Sequence, residues 1–585
     1  MGALLIAGVA VGVVALKFIS EVRTAQLALE RAKTDLTALT SGGFGDADPA
    51  AVQATAGDIS ANVTAAAEIV DGPLWEMAAE VPLVGQNVDA VQRVTRAVDI
   101  LVQRALPPGL QFMAAVDVDG LTVEGGGLNL APFREVQSSI PEITAAFTAA
   151  QEVVAPLDTA SLLPQVAEPV DEITAIIDQA APALAVADKY LPTLLDVAGA
   201  DGKRTYLVIF QNNAEIRATG GNPAASMIMT FTDGTLGYAD QASSATFVEA
   251  GVQGNEYISL PEETMGLYLP TLTRNSQDYT FTPDFPTTAS LFQAVWKATS
   301  GAEFDGVISI DPVVLAHMLA VAGPVKLPTG ETLTSENAVS TLLSKSYERY
   351  PDATSSDLFF EQAARTVFDH LTSASWDPMA MLAALERSAA EQRVYLAFTD
   401  PEAQALAEEF GVDGALAGDT EEQTQLGIFL NNSSVSKLDF HLTSAIDARC
   451  DVGARTVTTT MTLHNSITED IRSNYTLGWR NGRFGLPRTT MMLDVLFFAP
   501  PGATIAQTTP QSGDAPGWDR SGTEKGNSAV SRTVFVAKDQ TVTVSYTVAL
   551  PDGDLGPLDL RYTPTARHTD VTIDPTCTEL FPAAD

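Results

Sequence analysis

The hydrophobic period changes once along this chain, at Arg204, and that change constrains the fold more than any other feature. Before it, apolar residues recur every three or four positions. Val22, Ala25, Leu29, Ala32, Leu36 and Leu39 form one such series; Ile59, Val63, Ala66 and Val70 a second; Val84, Val88, Val91, Val98 and Leu101 a third; Ile173, Ile176, Ile177 and Leu184 a fourth. That spacing lays one apolar stripe along each of several helices. Pro73, Pro82, Pro107, Pro108, Pro141, Pro164, Pro182 and Pro192 punctuate the stretch, which predicts several short to medium helices instead of one long coiled coil. Residues 20–200 therefore read as a helical stalk and bundle.

Beyond Arg204 the runs become strand-length. Thr205–Phe210 (TYLVIF) and Ser226–Phe231 (SMIMTF) are continuous apolar runs, the second followed by an Asp233-Gly234 turn. Helical stretches around Thr287–Thr299 and Ser335–Tyr347 alternate with strand-like Asp305–Ile310 and Val394–Phe398, the order expected of an α/β layered domain over 201–420. From Gln425 helical patterns vanish, and alternating runs between Gly, Pro, Asn and Asp turns predict an antiparallel β-sandwich over 421–585. The expected class is multidomain α+β: a transmembrane helix and helical bundle, a central α/β layer, and a sandwich.

The transmembrane expectation rests on residues 1–19. Gly2–Ile19 holds one charge, Lys17, and no proline; at about 1.5 Å per residue it is just long enough for a hydrocarbon core, with Lys17 snorkelling. No basic segment precedes it and no small-residue cleavage site ends it cleanly, so an uncleaved anchor is expected, with the bulk of the chain outside the cell. Lys17 and Arg23 flank the wrong side for the positive-inside rule, a conflict that an upstream start carrying basic residues would resolve. Gly8 and Gly12 form a GxxxG through which two such helices could pack as a homodimer; small residues are also simply common in membrane helices.

Composition excludes some functions. The 585 residues are 45% hydrophobic and only 18% charged, so a packed chain is expected, not a disordered one. Lysine and arginine number 33 against 73 acids, a net charge of −40 that would repel phosphate backbones, so nucleic acid is not an expected partner. The five histidines are dispersed, with no HExxH, GxSxG, Walker loop or GxGxxG, and neither a metal nor a cofactor is expected. Two acidic turns, Val116–Gly120 and Asp552-Gly553-Asp554, lack full calcium-ligand spacing. The two cysteines, Cys450 and Cys577, most simply form one disulfide outside the cytoplasm; free thiols and a metal pair are the alternatives.

The most unusual string is Gln211–Asn222, QNNAEIRATGGN, directly after the TYLVIF strand. Ligands in α/β sheets sit in the loops at strand carboxyl ends. Asn212 and Asn213 offer amides, Arg217 a fixed cation, and Gly220 and Gly221 a close backbone approach, which makes an anionic-ligand cradle with a partly exposed arginine. The competing reading is a buried turn braced by a Glu215–Arg217 salt bridge.

That string, with FTPDFPTTASLFQAVWKATSGAEFDGVISIDPVVLAHMLAVAGPV and the later LGIFLNNSSVSKLDFHL, resembles the bacterial envelope family known as domain of unknown function 4012, over roughly residues 200–470. The resemblance implies a membrane-anchored envelope protein without an assigned reaction. The order DGVISID, then GPVKLPTGETLTSENAVSTLLSKSYERYPD, then SDLFFEQAARTVFDHL more faintly resembles the LytR-CpsA-Psr family, which transfers polyprenyl-linked glycopolymers to the cell wall. That likeness implies two pyrophosphate-holding arginines at offsets three and six from Asp357. Here Phe360 and Ala363 stand there, Arg365 follows, and no isoleucine-proline-arginine-aspartate segment occurs near 240–246. The first expectation is an anchored protein that binds a polyprenyl-phosphate lipid, an anionic glycopolymer or an assembly partner without catalysis. The second is a divergent phosphotransferase drawing on Arg217, Arg274, Arg349 and Arg365, and the third a spacer.

Overall fold

The structure, a computed structural model, describes residues 2–41, 49–82, 84–115, 127–374, 376–421, 423–511 and 519–582; of these, the side chains of 2–15, 38–41, 49 and 111–115 are not described. The chain divides into two compact units, Met1–Gly202 with Asp233–Thr235, and Lys203–Thr232 with Leu236–Asp585.

The first unit is helical, as its period predicts. Its elements are α1 (Gly2–Ser41), α2 (Pro49–Val70), α3 (Pro73–Ala79), α4 (Gly85–Arg104), α5 (Leu106–Ala115), α6 (Ala131–Val154) and α7 (Pro164–Val197). Ala25 and Ala28 of α1, Ala66 and Val70 of α2, Trp75 of α3 and Val88 of α4 share one apolar cluster. Ala97, Ala150, Val154, Ile173 and Ile177 share another. Within the expected α1 seam, Ala25 and Ala32 are buried, whereas Val22 and Leu36 are exposed; Leu39 lies outside the described side chains. Among the described residues no helix is long and apolar enough to cross a membrane. The side chains expected to form the anchor through Val14, and the Gly8/Gly12 pair, fall where side chains are not described.

Three of the expected proline breaks, at Pro141, Pro182 and Pro192, fail. Helix α6 runs through Pro141, and α7 runs for 34 residues through Pro169, Pro182 and Pro192. Each interior proline removes one backbone hydrogen bond, at about 3 kcal/mol in an isolated helix. Burial of Val170, Ile173, Ile177 and Leu195 on one face holds α7 together across them.

The second unit begins with β1 (Arg204–Asn212), β2 (Asn222–Thr232), β3 (Thr235–Ser243), α8 (Ser244–Glu249), α9 (Glu262–Met265), α10 (Phe285–Ser300), β4 (Gly306–Ile310) and α11 (Pro312–Ala322). It continues with β5 (Val325–Lys326), β6 (Thr332–Leu333), α12 (Ala338–Ser340), a π-turn over Thr341–Lys345, α13 (Ser346–Arg349), α14 (Ala353–Ser373), α15 (Pro378–Ala390), β7 (Tyr395–Phe398) and α16 (Pro401–Glu409). The central sheet has the order β3-β2-β1-β4-β7. β1 runs antiparallel to β2 and parallel to β4, so every strand-length run read from the sequence here is a strand of one mixed sheet.

The rest of the chain forms β8 (Thr424–Asn432), β9 (Leu442–Asp451), β10 (Thr456–Asn465), α17 (Asn474–Leu477), α18 (Arg480–Arg483), β11 (Met491–Phe498), β12 (Thr504–Thr509), β13 (Arg520–Glu524), β14 (Asn527–Val536), β15 (Thr541–Ala549), β16 (Leu558–Tyr562) and β17 (Asp570–Ile573). Two five-stranded sheets, β12-β15-β10-β9-β17 and β13-β14-β11-β8-β16, enclose a shared apolar core. The sandwich is not wholly antiparallel: β16 pairs parallel to β8 and β17 parallel to β9, because the last strands return along the sheet edges through long connections. Cys450 on β9 and Cys577 just after β17 form the disulfide, closing the terminal segment onto its neighbouring strand.

Strands β8 and β11 are buried at every position, on both faces. Their apolar runs Leu426–Leu430 and Val495–Phe498, unlike the alternating β9 and β10, are those of strands covered on two sides. One face fills the sandwich core. On the other, Phe429 and Phe498 join Leu207, Ile209, Phe285, Phe292, Trp296 and Tyr395, so the α/β layer and the sandwich share a core.

Candidate functional site

The β1–β2 connection, Asn213–Gly221, lies where that shared core meets the end of β8. Gln211 pins it from inside: its Nε2 donates to Thr219 O at 3.0 Å and Ser309 Oγ at 2.6 Å, while its Oε1 accepts from Gly221 N at 2.8 Å. A Cβ on Gly221 would sit 2.2 Å from the Asn212 carbonyl, and Gly220 has φ +140°, so the glycine pair is required by this packing itself. Asn212 Oδ1 accepts from Ala214 N at 3.0 Å, and its Nδ2 donates to the Tyr347 hydroxyl. Asn213, fully buried, donates to Asp311 Oδ2 at 3.0 Å. Asp311 also caps α11 through Val313 N and Val314 N, and receives Arg393 Nη1 at 2.7 Å.

Arg217 is 4% exposed, which corrects the expectation of a partly exposed cation. Its Nη2 reaches Glu215 Oε1 at 3.1 Å and Asp278 Oδ1 at 3.5 Å, its Nη1 donates to Ile216 O, and its guanidinium lies 4.6 Å from the Phe281 ring centroid. The other Glu215 oxygen accepts from Lys437 Nζ at 2.9 Å, and that ammonium sits 4.8 Å and 5.2 Å from the Tyr475 and Tyr347 ring centroids. Burial pushes the Glu215 carboxyl up, but Lys437 and Arg217 outweigh it and hold it at about 2. Burial likewise opposes the Lys437 charge, and Glu215 overrides it, keeping the ammonium protonated.

The sandwich completes this network from its own side. Asn431 Oδ1 accepts from Ala218 N at 3.0 Å, Asn432 N donates to Ile216 O at 2.9 Å, and Asp439 Oδ2 accepts from Ile216 N at 2.9 Å and from Asn432 Nδ2 at 2.6 Å. Burial pushes the Asp439 carboxyl up to about 7 despite those donors. All five residues expected at the cradle are thus brought together: Asn213, Arg217, Gly220 and Gly221 in the interior, Asn212 partly buried beside them. Lys437, Asp278, Asp311 and Arg393 escaped the sequence analysis. One signal was present: Phe429-Leu430-Asn431-Asn432 repeats the pattern of Phe210-Gln211-Asn212-Asn213, and both strings end a strand and open a turn on an asparagine.

The other cations are also engaged. Arg274 pairs with Glu256, Arg349 with Glu331, and Arg365 lies over the Tyr238 ring at 5.1 Å. Phe360 packs on Tyr347, and Ala363 is buried among Leu319, Leu342, Phe359 and Val367, so the two positions offset from Asp357 serve apolar packing. Among the described residues no cluster of three or more His, Cys, Asp or Glu is placed to hold a metal. Of the two acidic turns, Asp552–Asp554 is exposed and its Gly553 carbonyl accepts from Arg455; Val116–Gly120 lies outside the described residues.

Residues 201–347 match a protein family described as "Protein of unknown function (DUF4012)". The match bears out the family resemblance over β1 to Tyr347, a shorter stretch than the 200–470 read from the sequence. No curated protein and no solved structure matches the chain.

Proposed function

We propose that this chain is a membrane-anchored cell-envelope protein that binds a glycopolymer, a polyprenyl lipid or an assembly partner and does not catalyse group transfer. The observation that carries this reading is the neutralisation of the cations at the β1 and β4 ends: Arg217 is held by Glu215 and Asp278, Arg393 by Asp311 and Glu391, and Lys437 by Glu215. Phosphoryl transfer relies on positive groups aimed at the charge developing on the phosphate, and these groups are already spent on carboxylates. A divergent phosphotransferase is the second reading. It is favoured by a cavity of about 260 Å³ beside the π-turn, whose lining holds exposed Lys345 beside the Arg349–Glu331 pair, Asn337 and Tyr350. The test is incubation of the protein with a polyprenyl-pyrophosphate oligosaccharide: the binding reading expects retention without release of polyprenyl phosphate, whereas release that is lost in Lys345→Ala establishes the transferase.

The anchor is assigned to residues 1–19, with the second unit outside the cytoplasmic membrane and Gly8 and Gly12 as the contact of a homodimer. The apolar run and the disulfide support this topology. In unreduced, denatured protein from native cells, Cys450 and Cys577 should both resist a thiol reagent; labelling of both overturns the compartment.

A further inference from the structure

The connection between β10 and β11 turns basic after Glu469 and Asp470. Ile471–Thr490 contains Arg472, Arg480, Arg483 and Arg488 and no aspartate or glutamate, in a protein of net charge −40. Trp479 and Phe484 stand out of it, 55% and 54% exposed. The Arg483 guanidinium lies over the Trp479 ring, 4.2 Å from its centroid, and forms no ion pair among the described residues.

The loop is rigidly built. Arg488 donates to Asn474 Oδ1 at 2.7 Å and to Gly478 O at 2.6 Å, Asn481 Nδ2 donates to Thr490 O at 2.5 Å, and Lys437 N donates to Thr476 O at 2.8 Å. Gly478 packs so closely on the neighbouring turn that a Cβ there would lie 2.1 Å from Val435 O. Val435 is a second, independent sign. It is β-branched, 40% exposed, and held at φ +52°, with its N–H bonded to Asn432 Oδ1. A left-handed valine is strained, and such strain persists where the surroundings fix it, which is common at binding sites.

We propose that Val435, Trp479, Arg483 and Phe484 form the contact surface for an anionic glycopolymer. Stacking occupies the guanidinium face and leaves its in-plane N–H fork free to take a carboxylate or phosphate in bidentate fashion. The aromatic faces offer apolar area to the C–H faces of sugar rings, and four arginines within 20 residues that hold no acid draw a polyanion to this part of an acidic chain. The competing occupant is a lipid surface. A fixed platform of three apolar side chains lacks the continuous apolar face that seats a segment in a bilayer interface, so the polymer is favoured. This assignment rests on the binding function proposed above.

The test is equilibrium binding of the full chain in detergent to polygalacturonate, with neutral dextran and vesicles of equal phosphatidylglycerol and phosphatidylcholine in parallel. Wild-type protein should bind polygalacturonate, more weakly as salt rises, and leave dextran unbound. Trp479→Ala and Arg483→Ala should each weaken binding at least tenfold, Arg483→Lys should restore only part, and Arg449→Ala, an exposed arginine on β9, should change nothing. If both loop variants bind as wild type does, the surface is wrong while the binding function stands. If wild-type protein binds no polyanion, the glycopolymer function itself fails. If the variants lose vesicle binding and polygalacturonate never binds, the surface belongs to a membrane contact and the polymer assignment is overturned.

Discussion

Arg217 and Arg483 stand in strings of the same kind, each a strand-to-strand connection with asparagines and glycines, and the protein uses them in opposite ways. Around Arg217, two carboxylates, a backbone carbonyl and a phenyl ring consume the cation before any ligand could reach it. Around Arg483, an indole holds the cation in place and leaves its edge in water. Arginine, amide and glycine in one turn therefore do not distinguish an internal brace from a binding surface. The acids brought beside them do: Glu215 is two residues from Arg217, whereas none occurs in Ile471–Thr490.

The largest expected effect breaks the brace. Arg217→Ala removes the cation that Glu215 and Asp278 share, leaving buried Glu215 with Lys437 alone and partly buried Asp278 without this partner, which should cost about 3–5 kcal/mol. This reverses what a surface arginine would give. Thermal unfolding of the variant should show a drop of many degrees or a failure to accumulate folded protein, and an unchanged melting temperature would remove Arg217 from the interior network.

A smaller effect separates buried acids by pH: Glu215 and Asp439 in the network, and Glu524 on β13, which accepts from the Tyr268 and Thr282 hydroxyls. Burial pushes both Asp439 and Glu524 up to about 7, well above an exposed carboxyl, so between about pH 4 and 7 the folded state holds protons that the unfolded chain has released. Stability from these two groups is full below that window and falls as pH rises through it. Glu215 has the opposite sign: held at about 2, its contribution is present above about pH 4.5 and is lost as pH falls toward 2. The melting temperature should therefore peak near pH 4.5–5 and decline toward pH 8, and Asp439→Asn should flatten the decline. A profile that climbs steadily from pH 5 to 8 contradicts the assignment of neutral carboxyls.

The smallest effects belong to the exposed loop. Arg483→Ala and Trp479→Ala should each change stability by no more than about 0.5 kcal/mol, since neither side chain is buried. A loss of several degrees in either variant would make the loop another brace.

Much of this frame was legible in the sequence. The runs TYLVIF, SMIMTF, DGVISI and VYLAF are strands β1, β2, β4 and β7, and the change of period at Arg204 falls within two residues of the boundary between the compact units. Cys450 and Cys577 pair as expected. What remained hidden depends on distant contacts. Glu215 meets Lys437 across 222 residues, and Arg217 meets Asp278 across 61, so no local pattern could reveal that the cradle is filled. The prolines of α7 mislead for the same reason, because the face that offsets their lost hydrogen bonds is buried by other helices. The parallel edges β16 and β17 follow from where long connections return, which strand alternation does not encode.

The most direct test sets the two arginines side by side, with melting temperature and polygalacturonate affinity measured on Arg217→Ala and Arg483→Ala prepared identically. The prediction is a crossed result: Arg217→Ala loses many degrees of stability, while Arg483→Ala melts as wild type does and binds at least tenfold more weakly. An Arg217→Ala protein that keeps its melting temperature and loses binding, beside an Arg483→Ala protein that binds normally, would contradict the account and return the site to the β1–β2 connection.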